Sequence, residues 1–189
     1  MLPDLVRKSR SVRKFNQAAA VSIDTLRSLV DLARLSPSSA NRQTLKFFLS
    51  AEQKRNQLIF SQLAWAGYLP DWKGPLEGER PAAYILMLND EELGPLKEVD
   101  AGIALQSMLL GANYAGLGSC ILGSIDRVKL QTSLELPKRF RILFVLALGE
   151  PAEQVAVEPI GDDGSIRYWR DQQNLFHVPK RSLEEIIVA

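Results

Sequence analysis

Helical and extended segments alternate along this chain, which predicts one α/β or α+β domain. Three observations carry that reading. Ala82 to Leu88 and Arg141 to Leu148 are nearly unbroken apolar runs, each of the length of one buried strand. Segments with helical spacing lie before, between and after them. The chain has 189 residues, 46% hydrophobic and 24% charged, which suits a single globular domain.

The elements follow in order. Met1 to Ser9 predicts a short helix with Leu2, Leu5 and Val6 on one side. Ser22 suits a helix cap, and Ile23, Leu26, Leu29, Val30 and Ala33 recur at helical spacing behind it. Pro37 ends that helix, because the residue before proline avoids helical geometry. Leu45, Phe47 and Leu49 alternate as in a strand, and Glu52 to Ala66 reads as a helix. Tyr68 to Pro81, rich in proline and glycine, reads as a surface loop carrying Trp72. Ala82 to Leu88 follows as a strand. Glu98 to Ala115 is a long helix, apolar on more than one face and so buried on most sides. Gly116-Leu-Gly118 stops it before a short strand, Ser119 to Leu122. Asp126 caps a helix through Leu134, and Arg141 to Leu148 is the last strand.

From Glu150 to Ala189 periodicity fades. So long a stretch is unusual as a loop inside a compact domain, and a tail wrapping a partner subunit is a natural use for it. Gly161-Asp-Asp-Gly164 reads as a turn, and Ser182 with Glu185 has capping-box spacing.

Charge and rare residues narrow the function. Lys plus Arg is 23 and Asp plus Glu is 22, a net charge of +1 that gives no global attraction to nucleic acid or anionic membrane. Cys120 is the sole cysteine and His177 the sole histidine, too few for a structural zinc site or an internal disulfide. Met1 to Arg10 lacks the apolar stretch of a secretion signal, and no apolar run reaches membrane-spanning length. A soluble cytoplasmic protein without a metal is the expectation.

Four segments carry chemistry. Arg10-Ser-Val-Arg13 offers guanidinium groups suited to phosphate, or a solvated basic turn. Pro37-Ser-Ser-Ala-Asn-Arg-Gln43 clusters hydroxyls and amides that suit a heteroaromatic edge, or a polar loop bonded to itself. Gly116-Leu-Gly-Ser-Cys-Ile-Leu-Gly-Ser124 permits close backbone approach to a flat ligand, or a tight helix-to-strand connection. It lacks dinucleotide-fingerprint spacing. His177-Val-Pro-Lys180-Arg181 supplies a second basic pair, or a solvated tail. Cys120 reads as an inert core residue and His177 as a surface or interface histidine.

The order of these four segments resembles the nitroreductase family of FMN flavoproteins, over nearly the whole chain. The resemblance implies an α+β fold: a mixed β-sheet flanked by helices, in an intertwined homodimer. The long apolar helix would pack at the dimer interface, and residues 150–189 would form an exchanged C-terminal arm. It implies FMN at that interface, bound by Arg10, Ser11 and Arg13, with Arg10 toward the phosphate or ribityl end and Arg13 near the pyrimidine edge. Pro37, Ser38, Ser39, Asn41 and Gln43 would reach the flavin from the other subunit. Leu122, Gly123 and Ser124 would approach N5 and O4, and Lys180 and Arg181 the phosphate. Two positions depart from the family pattern. Ser9 stands where many members have arginine, and Thr44-Leu45 replaces a usual Pro-Trp.

The implied activity is hydride transfer from NADH or NADPH to flavin N5, then to a nitroaromatic, quinone or similar acceptor, by a ping-pong mechanism. Flavin N5 carries the chemistry, so no catalytic side chain is required. Dehalogenation, azoline oxidation, flavin cleavage and a non-catalytic flavin-binding dimer remain open on the same scaffold. The loop from Trp65 through Tyr68 to Trp72 is either part of a lid or, for Trp65, core packing.

Overall fold

The computed structural model describes residues 1–188. Its central strand is β5, Phe140–Pro151. One edge of β5 pairs with β3, Ala83–Asp90, which pairs in turn with β2, Leu45–Ser50. The other edge takes β4, Gly118–Leu122, and then β1, Phe15–Asn16, in tandem. These strand pairings are antiparallel. Parallel pairing enters at the Ser11 to Ser119 bridge and in a smaller sheet near the C-terminus, so the fold is mixed as expected.

Both faces of the main sheet are covered, which explains why β3 is an unbroken apolar run from Ala83 to Leu88. Ala83, Ile85 and Met87 face α2, Ile23–Leu35, and α4, Glu98–Tyr114. Tyr84, Leu86 and Leu88 face the other core, with Ile59 of α3, Gln53–Phe60, and Leu130 of α5, Arg127–Ser133. Period-two alternation therefore survives, with apolar groups on both sides. Helix α2 begins as its sequence dictates, since the Ser22 hydroxyl accepts from Thr25 N at 3.0 Å. Asp126 caps α5 in the same way. Helices α2 and α4 approach closely at Gly111, where a β-carbon would collide with Leu32 and Leu29.

Three elements differ from expectation. Helix α3 stops at Phe60 rather than Ala66, because the next residues pair elsewhere. Ala64 N donates to Ser124 O at 3.0 Å, and Asp126 N donates to Gln62 O at 2.9 Å. Strand β5 extends to Pro151, held there by β1. The tail is more regular than its sequence suggests. β6, Val155–Pro159, lies parallel to β8, Phe176–Lys180, which pairs with β7, Trp169–Arg170. The turn at Gly161–Gly164 and the capping box at Ser182 and Glu185 form as read, the latter opening α6, Leu183–Ile186. Short strands with half-buried, mixed side chains carry too weak an alternation to be seen in sequence. The short N-terminal helix α1, Leu2–Lys8, buries none of its residues.

Candidate functional site

The basic N-terminal segment is pinned to the sheet. Val12 N donates to Ser119 O at 2.9 Å, and the Val12 side chain packs where Gly118 lacks a β-carbon. Alternation then sends Ser11 and Arg13 to the side opposite Val12. The Arg13 guanidinium lies 4.6 Å from the Tyr168 ring centre and 4.7 Å from that of Phe176. Its backbone N–H donates to Glu153, whose other oxygen pairs with Arg170 at 2.7 Å. Arg10 lines a cavity of about 240 Å³ with Lys8, Ser9, Gly118 and Glu153. Its Nη2 donates to Val6 O at 2.8 Å, while its Nε is buried and has no partner.

The hydroxyl and amide segment follows α2. Ser36 is extended, as the residue before proline should be, and residues 39–41 make one tight helical turn. Ala40, Asn41 and Gln43 have φ of 50°, 53° and 52°, in the left-handed region that costs L-residues energy. The anchor that holds this shape is Asp100 on α4, which is buried. Its Oδ1 accepts from Ser39 N and from Ser39 Oγ, both at 2.8 Å. Pro37, Ser38 and Gln43 line a cavity of about 400 Å³, with Arg34 and Lys46 at its walls. Ser38 Oγ and Thr44 Oγ1 are buried there without partners. Buried hydroxyls are usually satisfied, so these two have hydrogen-bonding capacity to spare.

The remaining residues lie apart. Leu122 is buried at the end of β4, while Gly123 and Ser124 are exposed. Arg127 Nη2 donates to Gly123 O at 3.1 Å. Lys180 ends β8, and Arg181 pairs with Glu185 at 3.4 Å; both are exposed. Segment 10–13 thus sits beside β4, whereas segment 37–43 opens into a different cavity. A single chain does not gather all four segments around one space.

The family model described as Nitroreductase family matches residues 6–150. The chain belongs to the nitroreductase family. Iodotyrosine deiodinase of Thermotoga neapolitana is 25% identical over 169 residues, covering 80% of this chain and 89% of that protein. YodC of Bacillus subtilis, named for NAD(P)H nitroreductase activity, is 22% identical over 187 residues, covering 80% and 91%. A nitroreductase-type protein from Desulfovibrio desulfuricans, crystallised in complex with FMN, is 26% identical with a TM-score of 0.71. That likeness spans 100% of this chain and 95% of the other.

Within this nitroreductase-family chain, sequence reading missed three supports. Asp100 was visible only as an acid in the first turn of an apolar helix. Glu153 and the Tyr168–Phe176 pair carry no local pattern. The aromatic loop packs inward at Trp65 and Trp72, while Tyr68 is exposed. Trp65 is buried, meets Trp72 edge-on with centres 6.5 Å apart, and lies tilted against Phe60 with centres 6.0 Å apart. Arg170 from the tail lies 5.2 Å from the Trp72 ring centre. Burial pushes the Cys120 thiol up to about 11, with Arg13 opposing, which fits an inert core residue. Among the described residues no cluster of His, Cys, Asp or Glu could hold a metal, and no helix is long and apolar enough to cross a membrane.

Proposed function

We propose that this chain is an FMN-dependent oxidoreductase. It takes reducing equivalents from NADH or NADPH and delivers them to a nitroaromatic, quinone or similar small acceptor. The observation that carries this reading is the pair of incomplete polar sites, one at Arg10 and one at Ser38 and Thr44. Arg10 and Ser38 lie in the two segments that resemble the family's flavin-binding motifs, and Thr44 directly follows the second. FMN supplies two-electron chemistry at N5 when bound.

The chain's own residues bind, orient and shield. Arg10 offers its free Nε and positive charge to a phosphate. Arg13, held against the adjoining rings of Tyr168 and Phe176, presents a cation where negative charge develops on a reduced ring. Ser38, Asn41 and Gln43 provide hydroxyl and amide contacts, and Asp100 fixes their backbone. Gly123 and Ser124 supply exposed backbone at the end of β4. Lys180 and Arg181 add charge from the tail.

The two half-sites meet if two copies pair, which the surface of α4 supports. Val99, Ile103 and Leu110 form an apolar strip on the face of α4 away from the sheet, and Val99 is 59% exposed. A homodimer through that strip, with C-terminal arms exchanged, would place segment 37–43 of one copy against segment 10–13 of the other. Reductant and acceptor would then use one pocket in turn, which gives ping-pong kinetics.

The test is the visible spectrum of the purified protein without oxygen, before and after NADH or NADPH. A bound-flavin spectrum that bleaches supports the reading. A protein that stays colourless after FMN is added overturns it. The relation to the Thermotoga deiodinase favours a second reading, reductive dehalogenation of a halogenated phenol. Halide release under the same reducing conditions, with nitro compounds left unchanged, would select it.

A further inference from the structure

A cavity of about 500 Å³ lies among residues 17–21, helix α3 and the approach to β3. None of the four segments assigned to the flavin lines it. We propose that this cavity is a second ligand site, for a small organic carboxylate.

Two polar groups in its wall lack partners. Tyr84 is fully buried, yet its hydroxyl has no hydrogen bond. Arg80 makes no ion pair among the described residues, and its Nε is buried without a partner. Its neighbour Glu79 does not neutralise it, since Glu79 pairs with Lys14 at 2.9 Å. A lone buried phenol and a lone part-buried guanidinium are costly unless a ligand completes them. Burial pushes the Tyr84 hydroxyl well above the ordinary range for tyrosine, so it stays a neutral donor. Asn56, by contrast, is already committed. It accepts from Ser50 Oγ and donates to Ala82 O, each at 2.7 Å, and so serves as wall.

The wall chemistry selects the ligand class. Arg80 is the one cation lining the cavity, which matches a monoanion better than a phosphate dianion. Its guanidinium lies over the Phe60 ring at 4.5 Å, so charge and an apolar face adjoin. Val21, Pro81 and Phe60 offer contact to a hydrocarbon or aromatic body. Gln53 and Gln57 stand exposed at the rim with free amides, and the exposed Glu77 limits the negative charge that the cavity tolerates. The volume is that of a small-molecule pocket.

The experiment is calorimetric titration of the purified protein, with whatever cofactor it retains, using benzoate as probe. The visible spectrum is recorded in the same samples. One benzoate per chain should bind without disturbing a flavin spectrum, and inorganic phosphate should not displace it. Arg80→Met should weaken binding by about tenfold to hundredfold. Gln57→Glu, an exposed change on α3 that leaves the core intact, should weaken it by repulsion. Tyr84→Phe removes only an unpartnered hydroxyl, so it should weaken binding without lowering the melting temperature. No binding, binding unchanged in Gln57→Glu and Tyr84→Phe, equal displacement by phosphate, or benzoate that acts only by shifting the flavin spectrum would each overturn the proposal.

Discussion

The imidazole of His177 lies flat on the indole of Trp169, with ring centres 4.0 Å apart and planes 6° from parallel. Two carboxylates bracket that imidazole. Nδ1 is 2.8 Å from Glu158 Oε2, and Nε2 is 3.2 Å from Asp171 Oδ2. Glu158 also accepts from Trp169 Nε1 at 3.1 Å, so one acid ties β7 to β6 and β8. The hydrogen bond to Glu158, then that to Asp171, raises the His177 pKa above its ordinary value.

The sign of the pH effect follows. A group whose folded pKa is raised stabilises fully below its unfolded value of about 6.5. That contribution is lost as pH rises through the raised folded pKa. The C-terminal sheet should therefore loosen as pH rises from about 6.5 through the raised folded pKa. Because His177 is the sole histidine, its ring protons give one unambiguous NMR titration. The midpoint should lie above about 6.5, and Glu158→Gln should lower it. A midpoint at or below the free-histidine value would contradict the bracketing.

Gly74 tests the aromatic loop. Its φ is 111°, and a β-carbon there would sit 2.8 Å from Trp65 Cδ1. Trp65 is buried between Phe60 and Trp72 and has little room to move. Gly74→Ala combines backbone strain with overpacking, and should destabilise by about 1–3 kcal/mol. Gly67→Ala, with nothing within 4 Å of its β-carbon, is the matched control and should cost much less. Equal urea midpoints for the two variants would mean that the loop is not packed as described.

Asp100 tests the anchor beneath segment 37–43. Asp100→Ala strips the acceptor from both Ser39 N and Ser39 Oγ, and should cost about 1–3 kcal/mol. The three left-handed residues above it would then lose their hold, so FMN affinity should fall as well. Ser39→Ala removes only the hydroxyl bond and should have the smaller effect on both. Chemical denaturation and FMN titration of the two variants measure this directly. A Ser39→Ala loss as large as that of Asp100→Ala would shift the anchor from backbone to hydroxyl.

How much of this could be read beforehand depends on how local each cause is. Caps at Ser22, Asp126 and Ser182 are set by residues three apart, and all three form. Strand β3 declares itself because both its faces are covered, leaving an unbroken apolar run. The early stop of α3 is hidden, because it depends on pairing with residues some sixty positions later. The tail's sheet is hidden for a similar reason. Its strands draw stability from Arg13, Glu153 and Arg170, which a linear scan cannot join. The motif residues of the candidate site were legible as types in an order. Their supports, Asp100 and Glu153, were not.

If two copies pair as proposed, the strip on α4 links oligomeric state to cofactor binding. Val99, Ile103 and Leu110 point away from the sheet, while Ala104 and Met108 pack into the core and Asp100 turns to Ser39. A single residue on that strip can therefore be changed with little disturbance to the core. Ile103→Asp would place a charge in the centre of a dimer contact, where it would lie buried and unpaired. The variant should elute at the size of one 21.1 kDa chain, where the parent elutes as two. Its melting temperature should fall, since any dimer contributes stability by mass action. FMN affinity should fall by a larger factor than for Val99→Ala, because segments 10–13 and 37–43 of one chain open to different cavities. A monomeric Ile103→Asp that binds FMN as tightly as the parent would show that one chain completes the site alone, and the arrangement across two copies would have to be abandoned.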